Sequence, residues 1–135
     1  MNCYSPESQT NLDTCDGRLQ RIFTEALQMF DHSVICGYRP EGEQLALFLE
    51  KKTKIRSGGK HNCIPSLAVD AIPFPMTDPN DWSKDRDRMC LFAGMIKALG
   101  FTRGIEIRWG GDWDGDNDMK DQKFDDLVHF EIVVD

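Results

Sequence analysis

Leu67-Ala-Val-Asp70-Ala-Ile72 is an apolar run broken by one carboxylate and closed by Pro73 and Pro75. The run reads as a strand, and the prolines end it because they cannot donate to a ladder. Alternation places Ala68, Asp70 and Ile72 on one face. A carboxylate on such a face is costly if it is buried without a partner. A metal ion satisfies it; the other reading is an edge-strand aspartate paired with arginine or solvent.

Working outward, residues 52–66 form a basic, glycine-containing loop that carries His61. Ahead of it, Glu41 to Lys51 reads as a helix with Leu45, Leu47, Phe48 and Leu49. Ser33-Val-Ile-Cys-Gly-Tyr38 reads as a short strand broken by Arg39-Pro40. Leu19, Ile22, Phe23, Ala26, Leu27 and Phe30 recur at helical spacing, with Asp16 as N-cap. Residues 1–15 are polar and are expected to form an extended arm.

On the other side, Lys84 to Leu99 reads as a helix. Leu91, Phe92, Met95, Ile96 and Leu99 form its buried face, and Gly100 is its C-terminal cap. Ile105 to Trp109 reads as a strand, followed by a Gly/Asp loop to about Phe124 and a closing strand from Leu127 to Val134. Helices mixed with short strands give an α+β fold. The expectation is one domain over residues 1–135, with a short, mostly antiparallel sheet flanked by about three helices.

The chain has 135 residues, 40% of them apolar. No stretch approaches the roughly 18 apolar residues of a membrane span. Met1-Asn-Cys-Tyr-Ser-Pro-Glu7 lacks the basic start and apolar run of a signal peptide, so synthesis in the cytoplasm is expected, with release left to another agent. The five cysteines are odd in number and include no C-x-x-C pair, which points to reduced thiols, with Cys36 and Cys90 as core residues. Residues 1–111 hold 14 acidic and 14 basic side chains, and residues 112–135 hold 9 and 2, so the acidic segment carries the whole net charge of -7. That balance argues against nucleic-acid binding. A monomer is expected.

His61, Asp70 and His129 are a set that suits zinc. Two imidazoles and one carboxylate leave a tetrahedral ion an open position, which separates a catalytic site from a closed structural one. Taken singly, His129 among Leu127, Val128, Phe130 and Ile132 reads as a satisfied core histidine, and His61 as a surface residue. Asp126 stands three residues before His129, where a general base for a water molecule is wanted. Asp125 is its rival: in a regular strand, parity pairs Asp125 with His129.

Weaker signals are also present. Asp112-Trp-Asp-Gly-Asp-Asn-Asp118 alternates carboxylates like a calcium loop. The EF-hand template asks for Gly at the sixth position and Glu at the twelfth, where Asn117 and Lys123 stand. A solvated acidic loop is the favoured reading over Ca2+. Trp109 and Trp113 read equally as groove walls or core. His32 reads as a surface residue at a helix end, and Cys63 as a loop thiol.

Gly59-Lys-His61, Ala68-Val-Asp70 and Asp126-Leu-Val-His129 together resemble the signature of the zinc D-Ala-D-Ala carboxypeptidase and L-alanyl-D-glutamate endopeptidase family. Lys60 to Asp70, Arg108 to Asp114 and Asp126 to Glu131 are most similar to its short, phage-type members. The likeness runs from about Leu12 to Val134. It implies a Hedgehog/DD-peptidase-like fold, Zn2+ on His61, Asp70 and His129, and a base at Asp126. It also implies that Arg39, in Gly37-Tyr-Arg39, binds substrate and stabilises an oxyanion, a role suited to a fixed cation with directed donors. The implied substrate is the peptidoglycan stem peptide, and the implied role is a phage endolysin in host lysis. A D,D-carboxypeptidase on the same site, or a non-catalytic wall-binding or calcium-binding module, are the alternatives. Two positions depart from the family: Gly59 replaces a serine, and Val128 replaces a proline.

Overall fold

The architecture follows from which residues cannot stay in water. The computed structural model describes residues 1–51, 59–120 and 126–134. Its helices are α1 (Pro6–Asp13), α2 (Gly17–Leu27), α3 (Glu41–Leu49) and α4 (Arg86–Thr102). Its strands are β1 (His32–Cys36), β2 (Ala68–Pro73), β3 (Ile107–Gly110) and β4 (Asp126–Ile132). Short 3-10 turns lie at Lys60–Asn62 and Trp82–Asp85. The strands form one antiparallel sheet in the order β1-β2-β4-β3. This is the expected α+β fold, with four α-helices among the described residues.

One face of the sheet is apolar. Val34, Val69, Ala71, Trp109, Phe130 and Ile132 point there and meet Leu19, Ile22, Phe23 and Ala26 of α2 and Phe92, Ala93 and Ile96 of α4. Phe23, Phe92 and Phe130 pack edge to face with centroids 5.5 to 6.1 Å apart. Burying each such ring contributes roughly 1.5–3 kcal/mol. Asp16 caps α2 as the sequence implied, its side chain accepting from the Arg18 N–H at 2.9 Å.

Residues 1–15 are not an extended arm. Ser5 accepts from the Ser8 N–H at 3.1 Å as N-cap, Pro6 opens the first turn, and α1 follows. α1 covers the edge strand β1: the Val34 N–H donates to Ser8 Oγ at 3.0 Å, and Asn11 Nδ2 donates to the Val34 carbonyl at 2.9 Å. Polar side chains thereby replace the missing sheet neighbour.

Gly100 is not the cap of α4 but lies inside it, against β3: a Cβ there would meet Ile105 O and Ile107 Cγ1 at 2.8 Å. The helix ends at Gly104, whose φ of 70° is left-handed. There Ile105 N–H donates to Gly100 O at 2.9 Å and Gly104 N–H to Phe101 O at 3.0 Å, the paired bonds of a Schellman ending. Leu91, expected on the buried face of α4, is 58% exposed; Met89, Phe92, Ala93 and Ile96 fill that face.

Candidate active site

The opposite face of the sheet is polar, and register decides what meets there. Asp70 of β2 stands opposite His129 of β4, and Ala68 opposite Glu131. Glu131 also stands opposite Arg108 of β3. Cross-strand partners share a face, so Asp70, His129, Glu131 and Arg108 lie on one side, away from the helices. His61 joins from the 3-10 turn above β2.

These groups converge on Asp70. Its Oδ1 lies 3.1 Å from His61 Nε2 and 3.3 Å from His129 Nδ1. Its Oδ2 lies 3.4 Å from an Arg39 guanidinium nitrogen. Each imidazole has its other nitrogen engaged: His61 Nδ1 lies 2.7 Å from the Gly37 carbonyl, and His129 Nε2 2.8 Å from Glu131 Oε1. One ligand atom from each of His61, Asp70 and His129 lies within 4.8 Å of the others, and all three residues are buried. Two imidazole nitrogens and a carboxylate oxygen converging this closely, with the outer nitrogens tied down, fit a metal ion.

Two irregularities in the sheet aim the remaining residues. In β1 the register slips between Val34 and Cys36, so that Cys36 rather than Ile35 stands opposite Asp70. This brings the Cys36-Gly37 backbone beside His61. Gly37 has no room for a side chain, since a Cβ would meet Asn11 O and Thr14 Oγ1 at 2.3 Å. Arg39 follows, its N–H donating to His61 O at 2.8 Å, while Asn62 Nδ2 donates to Arg39 O at 2.7 Å.

In β4 the pairs Trp109–Phe130 and Gly110–Asp126 are consecutive on β3 but leave Leu127, Val128 and His129 between them on β4. Trp109 Nε1 donates to Leu127 O at 2.9 Å and pins this bulge. Asp126 therefore shares the face of its partner Gly110, which is the face of Arg108, Glu131 and His129. The backbones come so close that a Cβ on Gly110 would lie 1.9 Å from Asp126 O. A regular strand would have turned Asp126 away; the bulge turns it in. Asp125 lies outside the described residues.

The electrostatics match this picture. Burial pulls the His61 imidazole down, but Asp70 and Cys36 outweigh it and raise it to about 10. Burial likewise opposes the charge on His129, and Asp70 and Glu131 raise it to about 9. Burial would raise Asp70, yet the two imidazoles hold it well below the ordinary carboxylate range. Asp126 is shifted upward, first by burial and then by the Asp70 carboxylate, with His129, His61 and Arg39 opposing.

Comparison with known proteins agrees with the geometry. The family model described as phage L-alanyl-D-glutamate peptidase matches residues 2–133. The chain belongs to that family. It is 22% identical over 121 residues to the L-alanyl-D-glutamate peptidase of Escherichia phage T5, covering 88% of this chain and 87% of that one. The crystal structure of the Serratia marcescens L-Ala D-Glu endopeptidase ChiX has the same fold, with a TM-score of 0.73 at 21% identity over 98% of this chain and 91% of that one.

Against the family signature, Gly59 donates its N–H to Asn62 Oδ1 at 2.9 Å, and Val128 is buried. Trp109 is core, while Trp113 packs against His129 with ring centroids 5.3 Å apart and the planes tilted by 39°. All five cysteines are free thiols. Cys36 is not a core residue: its sulfur lies 3.9 Å from His61 Nδ1 and 3.5 Å from Arg39. His32 is not a surface residue: it is 2% exposed, packed on Phe92, with Nε2 at the Tyr4 hydroxyl, and burial holds it down to about 4. Sequence reasoning assigned no role to Glu131 or Gly37, although Glu131 two residues after His129 shares its strand face.

Asp112, Asp114 and Asp116 form a second acidic group within 4.8 Å, one buried and two exposed. Asp112 Oδ2 accepts from the Asn117 N–H at 2.9 Å and lies 3.6 Å from Lys97 Nζ. Its Oδ1 has no partner among the described residues.

Proposed function

We propose that this chain cleaves the L-alanyl–D-glutamate bond of the peptidoglycan stem peptide, with Zn2+ held by His61, Asp70 and His129, as a phage endolysin in host lysis. The observation that carries the reading is the buried convergence of those three residues at 3.1 and 3.3 Å, in a chain that matches the peptidase family over residues 2–133. Bound zinc supplies Lewis-acid polarisation of the scissile carbonyl and a lowered pKa for water.

The chain's own residues do the rest. Asp126 takes a proton from the attacking water and delivers it to the departing amine of the glutamate residue, as the carbonyl carbon–nitrogen bond breaks. Its upward-shifted carboxyl group is closer in proton affinity to the working pH than an ordinary aspartate. Arg39, held at Asp70 Oδ2, directs guanidinium donors at the charge that builds on the carbonyl oxygen. Trp113 covers one side of His129 and limits water there.

The protein acts as a monomer on the cell wall and takes no nucleic acid. Among the described residues no helix is long and apolar enough to cross a membrane. Calcium at Asp112–Asp118 is a second cation reading, supported by Asp112 Oδ1, which has no hydrogen-bond partner among the described residues.

Mass spectrometry of digested muropeptides tests the bond. Fragments with a new glutamate N-terminus are expected; release of terminal D-Ala alone would assign a D,D-carboxypeptidase. A non-catalytic wall-binding module would release no fragment.

A further inference from the structure

We propose that Glu131 is a positioning residue that selects which nitrogen of His129 faces the metal. The inference rests on the zinc reading above and concerns a residue outside the three ligands. A neutral imidazole carries one N–H, and the hydrogen bond made by one nitrogen decides which nitrogen is left to ligate. Glu131 Oε1 lies 2.8 Å from His129 Nε2, while Nδ1 faces Asp70 Oδ1 at 3.3 Å. An ionised carboxylate only accepts, so the proton sits on Nε2 and Nδ1 is the ligand atom.

The placement of Glu131 is specific. It is 6% exposed, a costly site for a carboxylate. Its second oxygen lies 3.5 Å from Arg108 Nη1, the side chain directly across β3. Residues 129 and 131 share a strand face, so the contact is built into β4. His61 is different: its outer nitrogen meets a main-chain carbonyl, that of Gly37, which no side-chain substitution removes. Glu131 is therefore the place where the orientation of a ligand can be altered without altering the ligand.

The plainer role is an ion pair with Arg108 that only stabilises the sheet. The two roles separate in zinc affinity, read by competition with a chromophoric chelator at fixed pH, and in the His129 ring signals of long-range 1H–15N spectra of the zinc-loaded protein. Glu131→Ala is expected to weaken zinc binding about 10- to 100-fold. Glu131→Gln keeps an acceptor oxygen and is expected to recover most of that loss, with His129 still protonated at Nε2. If Glu131→Ala fails to fold, Glu131→Met decides, because it fills the same space without an acceptor for His129 Nε2: zinc affinity within about twofold of wild type, against that 10- to 100-fold loss, overturns the proposal. Folded Glu131→Ala that binds zinc within about twofold of wild type, against that 10- to 100-fold loss, also overturns it. So does wild type carrying the metal on Nε2 of His129. Wild type that binds no zinc at all overturns the zinc reading itself, and this inference with it.

Discussion

Among the described residues, two places bring three metal-capable side chains within 4.8 Å of one another: His61, Asp70 and His129, and Asp112, Asp114 and Asp116. In the first, all three are buried, two stand opposite each other in adjacent strands, and every outer atom has a partner. In the second, one is buried, two are exposed, and one oxygen of the buried residue lacks a hydrogen-bond partner among the described residues. Proximity is common to both. What distinguishes the first is that the atoms not needed for a cation are already tied down, so a cation meets a preset geometry.

Removing the common point of the first cluster gives the largest effect. Asp70→Ala is expected to abolish zinc retention, measured by metal analysis after gel filtration, and to reduce wall lysis to background. Asp126→Ala comes next: lysis falls about 10²- to 10⁴-fold while zinc content stays at wild-type level. Equal lytic rates at equal zinc content would remove Asp126 from the chemistry. Gly110→Ala tests the bulge, because its Cβ must push Asp126 away. A shift of this kind costs about 10²-fold in rate, with zinc content again unchanged.

The first cluster also has a pH signature. In the folded, metal-free chain His61 and His129 titrate at about 10 and about 9, against 6.5 for an unperturbed histidine. The folded state holds the extra protons, so this stabilisation is complete below pH 6.5 and is lost as pH rises through 9 and 10. Urea midpoints of metal-free protein are expected to fall from pH 7 to pH 10. Zinc replaces those protons and is expected to flatten the trend. The smallest effect belongs to the loop: Asp114→Asn with Asp116→Asn changes calcium-free stability by less than about 0.5 kcal/mol. A calorimetric calcium signal that the pair abolishes would raise the loop to a second cation site.

Much of this was legible in the residues, and the misses have physical causes. Periodicity located α2 and β2, and block wording singled out His61, Asp70 and His129, which the fold brings together. α1 was missed because it has no apolar stripe, although Ser5-Pro6-Glu7 is an N-cap followed by proline and an acidic first turn. Gly100 and Gly104 both suit a helix end; packing against Ile105 and Ile107 claims the first and a left-handed φ the second. Strand parity places Asp126 on the face away from His129 because parity assumes regular pairing. The bulge that reverses it depends on Trp109 and Gly110 in another strand, and no pattern local to β4 announces it. Cys36 read as core for the same reason, since the slip in β1 turns it toward Asp70.

The central claim is that zinc sits among His61, Asp70 and His129, and X-ray absorption at the zinc edge of the loaded protein tests it most directly. The expected shell is nitrogen and oxygen at about 2.0–2.2 Å with the outer-ring signature of two imidazoles. A sulfur shell at about 2.3 Å would place Cys36 or Cys63 on the metal, and an all-oxygen shell without imidazole would place it in the acidic loop; either result contradicts the account.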